Sequence, residues 1–115
     1  MKNFFKNLFG GENDYEIVEP ANVENAVRKY VNVVGRVQGV GFRFFVQQTA
    51  LSLKVTGWVK NETDGSVSME IQAEPQILDM LIEKIKRGNG YSNVQDMSSE
   101  NLEVVKGENK FVINH

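Results

Sequence analysis

A two-layer α+β sandwich of ferredoxin-like order, βαββαβ, is the fold this sequence predicts: an antiparallel sheet of four to five strands with two helices on one face. Three observations predict it. Short β-branched runs are separated by two stretches of helical spacing, and a polar turn at Asn61-Glu62-Thr63-Asp64-Gly65 joins two strands with no helix between them. The third is size, because 115 residues suit one compact core and are too few for two ordinary domains.

The first strand is Tyr30-Val31-Asn32-Val33-Val34, a β-branched run that ends at Gly35. After a glycine-rich stretch, Phe42, Phe45, Val46, Ala50 and Leu53 recur at helical spacing, so the first helix begins close to Arg43 with one face turned to the core. Val55 to Lys60 alternates as the second strand. The 61–65 turn leads into the third, from Ser66 to Ala73, with Val67, Met69, Ile71 and Ala73 on one side. Glu74-Pro75 opens the second helix, since proline in the first turn lacks an N–H that would have no partner anyway. Ile77, Leu78, Leu81, Ile82 and Ile85 form its buried stripe, and Gly88 ends it. A weaker strand near Val94 to Met97, extending toward Leu102 to Val105, precedes the polar break Lys106-Gly107-Glu108-Asn109. Phe111, Val112 and Ile113 form the last strand. Met69 and Met80 read as gap-filling core residues, Trp58 as packing mass, and His115 as an exposed side chain.

Residues 1–27 differ in composition from the rest and read as a flexible N-terminal appendage to a domain over 28–115. Phe4, Phe5, Leu8 and Phe9 would share one face of a helix, able to dock on the domain, on a partner or on a membrane surface.

Composition removes several chemistries. With no cysteine there are no disulfides, thiol nucleophiles or thiolate zinc sites, and His115 is the only histidine, so neither a histidine-rich metal site nor a Ser/His/Asp triad is expected. Thirteen basic against fifteen acidic residues leave a formal charge of -2, which does not favour nucleic acid as a partner. No apolar run approaches the roughly 18 to 20 residues that cross a bilayer, and Lys6-Asn7 interrupts the only apolar start that resembles a signal peptide. The expected setting is cytoplasmic.

The stretch Gly35-Arg36-Val37-Gln38-Gly39-Val40-Gly41 stands between a strand and a helix. Such a loop can turn successive N–H groups inward beside the helix N-terminus and make an anion site, and Arg43 would add a planar charged fork. The same glycines would serve a strand-to-helix turn that only needs positive φ angles. The loop is neither the P-loop signature nor the dinucleotide fingerprint. Asn61, read alone, is an ordinary turn residue.

Two motifs carry a resemblance. Gly35-Arg36-Val37-Gln38-Gly39-Val40-Gly41-Phe42-Arg43 resembles the first signature of the acylphosphatases, and Gly57-Trp58-Val59-Lys60-Asn61, with Gly65 and Val67, resembles the second. The similarity covers about residues 28–115. It implies metal-free and cofactor-free hydrolysis of a small-molecule acyl phosphate to a carboxylate and inorganic phosphate by a monomeric enzyme. It also implies that the phosphate is held by the backbone of Val37, Gln38, Gly39, Val40, Gly41, Phe42 and Arg43 together with the Arg43 side chain, and that Asn61 holds the attacking water. Three positions depart from the family's usual pattern: Lys54 and Ala73 stand where glycine is common, and the chain ends in Asn114-His115 where an aromatic residue is frequent.

The chemistry is self-consistent. A carboxylate is a stable leaving group, so no general acid is required, and what remains is charge neutralisation and alignment of water. The competing readings are a non-catalytic module of the same fold that binds acidic groups or a partner protein, and a ferredoxin-like RNA-binding domain.

Overall fold

The structure is a computed structural model and describes residues 16–19 and 24–115. The elements follow in the order β1 (Val27–Arg36), α1 (Phe42–Ser52), β2 (Thr56–Asn61), β3 (Val67–Ala73), α2 (Pro75–Arg87), β4 (Asn93–Leu102) and β5 (Phe111–Asn114). The strands form one sheet in the order β4-β1-β3-β2-β5. Two helices on a five-stranded sheet are the α+β, ferredoxin-like arrangement that the periodicity predicts. The sheet is antiparallel except at one edge, where β5 pairs parallel to β2.

The core lies between the helices and one sheet face. Val31 and Val33 of β1, Val59 of β2 and Val67, Met69 and Ile71 of β3 are fully buried there against Phe42, Val46 and Ala50 of α1 and Leu78, Leu81 and Ile85 of α2. Alternation does the sorting: successive side chains of a strand point to opposite faces, so the apolar set of each strand meets the helices. Met69 is core, as expected. Met80 is 47% exposed instead, because it sits two residues after Leu78 and so falls on the far side of α2 from the buried stripe.

The second face of the sheet is polar and only partly open. Arg28, Tyr30 and Asn32 of β1 stand opposite Gln72, Glu70 and Ser68 of β3, and Thr56, Trp58 and Lys60 of β2 flank the same three residues. Trp58 is therefore a half-buried residue of this face, outside the core cluster. Segment 103–110 crosses over it: Gln72 accepts from the Val105 amide (2.8 Å) and donates to its carbonyl (2.9 Å), while Glu108 reaches Arg28. By this crossing the chain leaves one edge of the sheet and enters β5 at the other, running alongside β2.

Two local features depart from the sequence expectation. β1 runs to Arg36, past Gly35, through a register shift between Val34 and Gly35; a Cβ on Gly35 would stand 2.1 Å from the Asn93 carbonyl oxygen, so only glycine lets β4 approach. At the end of α1, Lys54 takes a left-handed φ of 59° in a closing turn with Lys54 N–H on the Leu51 carbonyl and Val55 N–H on the Ala50 carbonyl. This is a left-handed cap at a position suited to glycine. Of the N-terminal region, Val18 is buried in the core cluster and its amide donates to the Asn109 carbonyl (2.7 Å). The Phe/Leu face proposed for residues 4–9 lies outside the described residues.

Candidate functional site

β1 and β2 deliver their last residues to the same end of the sheet, where α1 begins. Between β1 and α1 the chain turns through Gly39 (φ 72°) and Gly41 (φ 74°), and Gly41 is the N-cap of α1. No side chain caps this helix, and no acidic residue lies in its first turn. The first amides of a helix have no partner within it, so here they remain available, with the partial positive charge of the helix end behind them.

A cleft of about 250 Å³ opens at this point, lined by Val37, Gly39, Gly41, Phe42, Arg43, Phe44, Asn61, Ile113 and His115. Of the residues expected in a phosphate cradle, Val37, Gly39, Gly41, Phe42 and Arg43 line it. Gln38 and Val40 do not, and their hydrogen bonds show where they are engaged. The Gln38 carboxamide turns away and donates to the carbonyls of Glu62 (2.7 Å) and Ser66 (2.9 Å), which ties the loop to the β2–β3 turn directly after Asn61. The Val40 carbonyl accepts from Asn89 (2.8 Å).

Arg43 makes no ion pair among the described residues. One guanidinium nitrogen, Nη1, donates to the Asn114 carbonyl (3.1 Å) and lies 3.4 Å from Nδ1 of His115. Both partners come from β5 or just beyond it, so the parallel edge strand braces the arginine without neutralising it. Arg43 is also the one permanently charged residue in the cleft lining.

Asn61 closes β2 opposite Val67 and forms the facing wall. Its Oδ1 is buried and has no hydrogen-bond partner among the described residues. An unsatisfied buried acceptor costs about 1–3 kcal/mol, and Gln48 Nε2 on α1 is the other buried side-chain polar atom without a partner among the described residues. The turn behind it is firmly built. Glu62 N–H donates to the Ser66 carbonyl (2.8 Å), the Asp64 carboxylate accepts from the Ser66 amide (2.9 Å) and hydroxyl (2.6 Å), and Ser68 donates its hydroxyl proton to Glu62. The two Ser66 bonds hold the Asp64 carboxyl below its ordinary range.

Phe44, Ile113 and His115 are lining residues that sequence reasoning did not select. Phe44 follows Arg43 on α1 and is 54% exposed, off the face that Phe42, Val46 and Ala50 bury. Ile113 and His115 reach the cleft only because β5 pairs beside β2, and no local pattern announces that pairing. His115 is exposed as expected, yet it stands against Arg43. No cluster of three or more His, Cys, Asp or Glu side chains able to hold a metal occurs among the described residues.

Comparison with known proteins identifies the family. The family model for acylphosphatase matches residues 29–113. An acylphosphatase of Clostridium beijerinckii is 44% identical over 89 residues, covering 77% of this chain and 99% of the relative, and one of Geobacillus kaustophilus is 45% identical over 86 residues, covering 75% and 92%. Among solved structures, the acylphosphatase of Bacillus subtilis superposes with a TM-score of 0.74 at 38% identity, over 77% of this chain and 99% of that one.

Proposed function

The chain belongs to the acylphosphatase family and hydrolyses acyl phosphates, and we propose that residues 28–115 do so with the phosphoryl group seated on the backbone of residues 37–43 under Arg43 and the attacking water placed by Asn61. One observation carries this reading: an arginine without a carboxylate partner and a carboxamide with an unpaired oxygen face one cleft at an uncapped helix N-terminus.

The steps follow from these groups. The loop amides and the Arg43 fork bind the phosphoryl oxygens and offset the charge that builds on them during transfer. Asn61 accepts a hydrogen bond from water with Oδ1 and can donate to a phosphoryl oxygen with Nδ2, so one side chain spaces nucleophile and target. The terminal torsion of asparagine is broad, and a modest turn about it presents the oxygen to the cleft. The water oxygen then bonds to phosphorus and the bond from phosphorus to the bridging oxygen breaks. The carboxylate departs with the electron pair, and the water proton passes to a phosphoryl oxygen. Because the leaving group is stable as an anion, no acid is needed beside it.

The monomeric state that the family resemblance implies is part of the same proposal. The absence of cysteine and of any described helix long and apolar enough to cross a membrane supports work in the cytoplasm. The partner implied is a small acyl phosphate, and a net charge of -2 supports no role for nucleic acid.

The test is hydrolysis of a simple aryl acyl phosphate with and without a metal chelator, run on the wild type and on Asn61→Ala. Turnover that survives the chelator is expected. The variant should keep its affinity for inorganic phosphate while kcat falls by about 10²–10³-fold, the scale of losing one well-placed polar group at a reacting centre. Normal turnover in the variant would remove Asn61 from the mechanism.

A further inference from the structure

The loop after α2 reaches the phosphate loop through a single side chain, Asn89, and nothing in the proposed chemistry uses it. Both ends of its carboxamide are engaged. Oδ1 accepts from the amides of Tyr91 (3.0 Å) and Ser92 (2.9 Å), and Nδ2 donates to the Val40 carbonyl (2.8 Å). The assignment of the two ends is unambiguous, because backbone amides only donate and a carbonyl only accepts. The Asn89 amide itself donates to Ser92 Oγ (3.2 Å), so the 88–92 turn is a rigid base for the side chain.

We propose that Asn89 is a positioning residue for phosphate binding, which holds the Val40–Gly41 peptide in the one orientation that presents the Gly41 N–H to the cleft. The peptide bond is planar and trans, so its C=O and N–H point in opposite directions, and fixing one fixes the other. Asn89 draws the Val40 oxygen toward the 88–92 turn, and the Gly41 N–H must then point away from that turn, toward the cleft that Gly41 lines. The tether is needed because this peptide turns about ψ of Val40 and φ of Gly41, and Gly41, with a φ of 74° and no side chain, does little to resist a flip. A Cβ placed on Gly41 would stand 3.9 Å from Nδ2 of Asn89, and Asn89 is not among the residues that line the cleft. Asn89 touches no substrate in this arrangement and acts entirely through the backbone it holds.

The inference rests on the phosphate-cradle reading, and the experiment separates the two. Inorganic phosphate is titrated into isotope-labelled protein while the Gly41 amide resonance is followed, alongside the inhibition constant for phosphate and the thermal midpoint. The variant is Asn89→Ser. Its hydroxyl can still accept from the 91 and 92 amides, as short hydroxyl side chains do in turns, but is too short to reach Val40, and it adds no charge. Phosphate should move the Gly41 resonance of the wild type. The variant should bind phosphate about fivefold more weakly, the worth of one net hydrogen bond, with a smaller Gly41 shift and a nearly unchanged midpoint. Equal affinity and an equal Gly41 shift in the variant overturn the positioning role while leaving the cradle intact. A wild-type Gly41 resonance that ignores phosphate overturns the cradle and the inference together. Should Asn89→Ser not fold, Asn89→Asp keeps the shape and the acceptor but places an oxygen against the Val40 carbonyl. Weakening of phosphate binding that persists at high salt, where added charge is screened, then supports the tether, and its disappearance overturns it.

Discussion

Arg28 and Arg43 lie in the same domain and are treated in opposite ways. Arg28 is 3% exposed on the polar face of the sheet, with Nε on Glu70 (2.7 Å), Nη1 on Gln72 (3.0 Å) and a two-point contact with Glu108 (2.9 and 3.2 Å). Burial alone would draw its proton off more easily; the bonds to Glu108 and Glu70 outweigh that and hold the guanidinium above its ordinary value. Arg43 meets the Asn114 carbonyl and a ring nitrogen of His115, and no carboxylate among the described residues. Under the proposed mechanism, the difference separates a structural arginine from one reserved for an anion. A buried charge must be paired or its desolvation goes uncompensated, whereas a charge meant for a ligand has to arrive with unused capacity.

The widest separation between the two should come from Arg43→Ala. Its kcat/KM is expected to fall by about 10³-fold, with phosphate affinity lost as well, because a charge-assisted fork at the phosphoryl group disappears. The denaturation midpoint should hold, and comparable activity in that variant would break the contrast at its functional end. Arg28→Met should do the reverse. It strands two carboxylates and removes one of the ties on the 103–110 segment at a cost of about 2–3 kcal/mol in urea unfolding, below the roughly 3–5 of a fully buried pair because Glu70 and Glu108 keep 26% and 18% of their exposure. Its kcat/KM should stay within about twofold of the wild type. Glu108→Ala is the finer cut through the same cluster: Arg28 retains Glu70 and Gln72, so about 1 kcal/mol is expected on the same measurement. The smallest effect, and the only gain, should come from Lys54→Gly. Relief of a left-handed φ at a non-glycine residue is worth up to about 1 kcal/mol, seen as a higher urea midpoint at unchanged activity.

The α2 boundaries were legible because their causes are local. Pro75 is confined to the first turn by its ring, and Gly88 ends the helix with a φ of 77° that other residues resist. The β2–β3 turn and the start of α1 at Phe42 were equally readable, since turn chemistry and 3.6-residue spacing act over a few positions. β1 was read too short. Arg28 and Lys29 carry no strand signal of their own and are drawn into the ladder because β1 is paired on both sides, to Gln72 and Ile71 of β3 and to Leu102 and Asn101 of β4. On the site, the motif resemblance selected Arg43 and Asn61, while Gln38 carries its side chain to the neighbouring turn and Val40 is held by Asn89.

By itself the sequence determined the elements, the order in which they follow, and the glycine-rich bend ahead of an arginine, since each of these is encoded within a window of a few residues. The tertiary structure alone decided that β5 runs parallel beside β2 and so brings Asn114 and His115 to Arg43, that Arg28 disappears beneath Glu108, and that Asn89 meets Val40. These contacts join residues 49 to 80 positions apart. Which partner a strand edge, a buried charge or a free carbonyl takes at that distance is settled by satisfying the whole core and its polar groups at once, and no short stretch of chain carries that information.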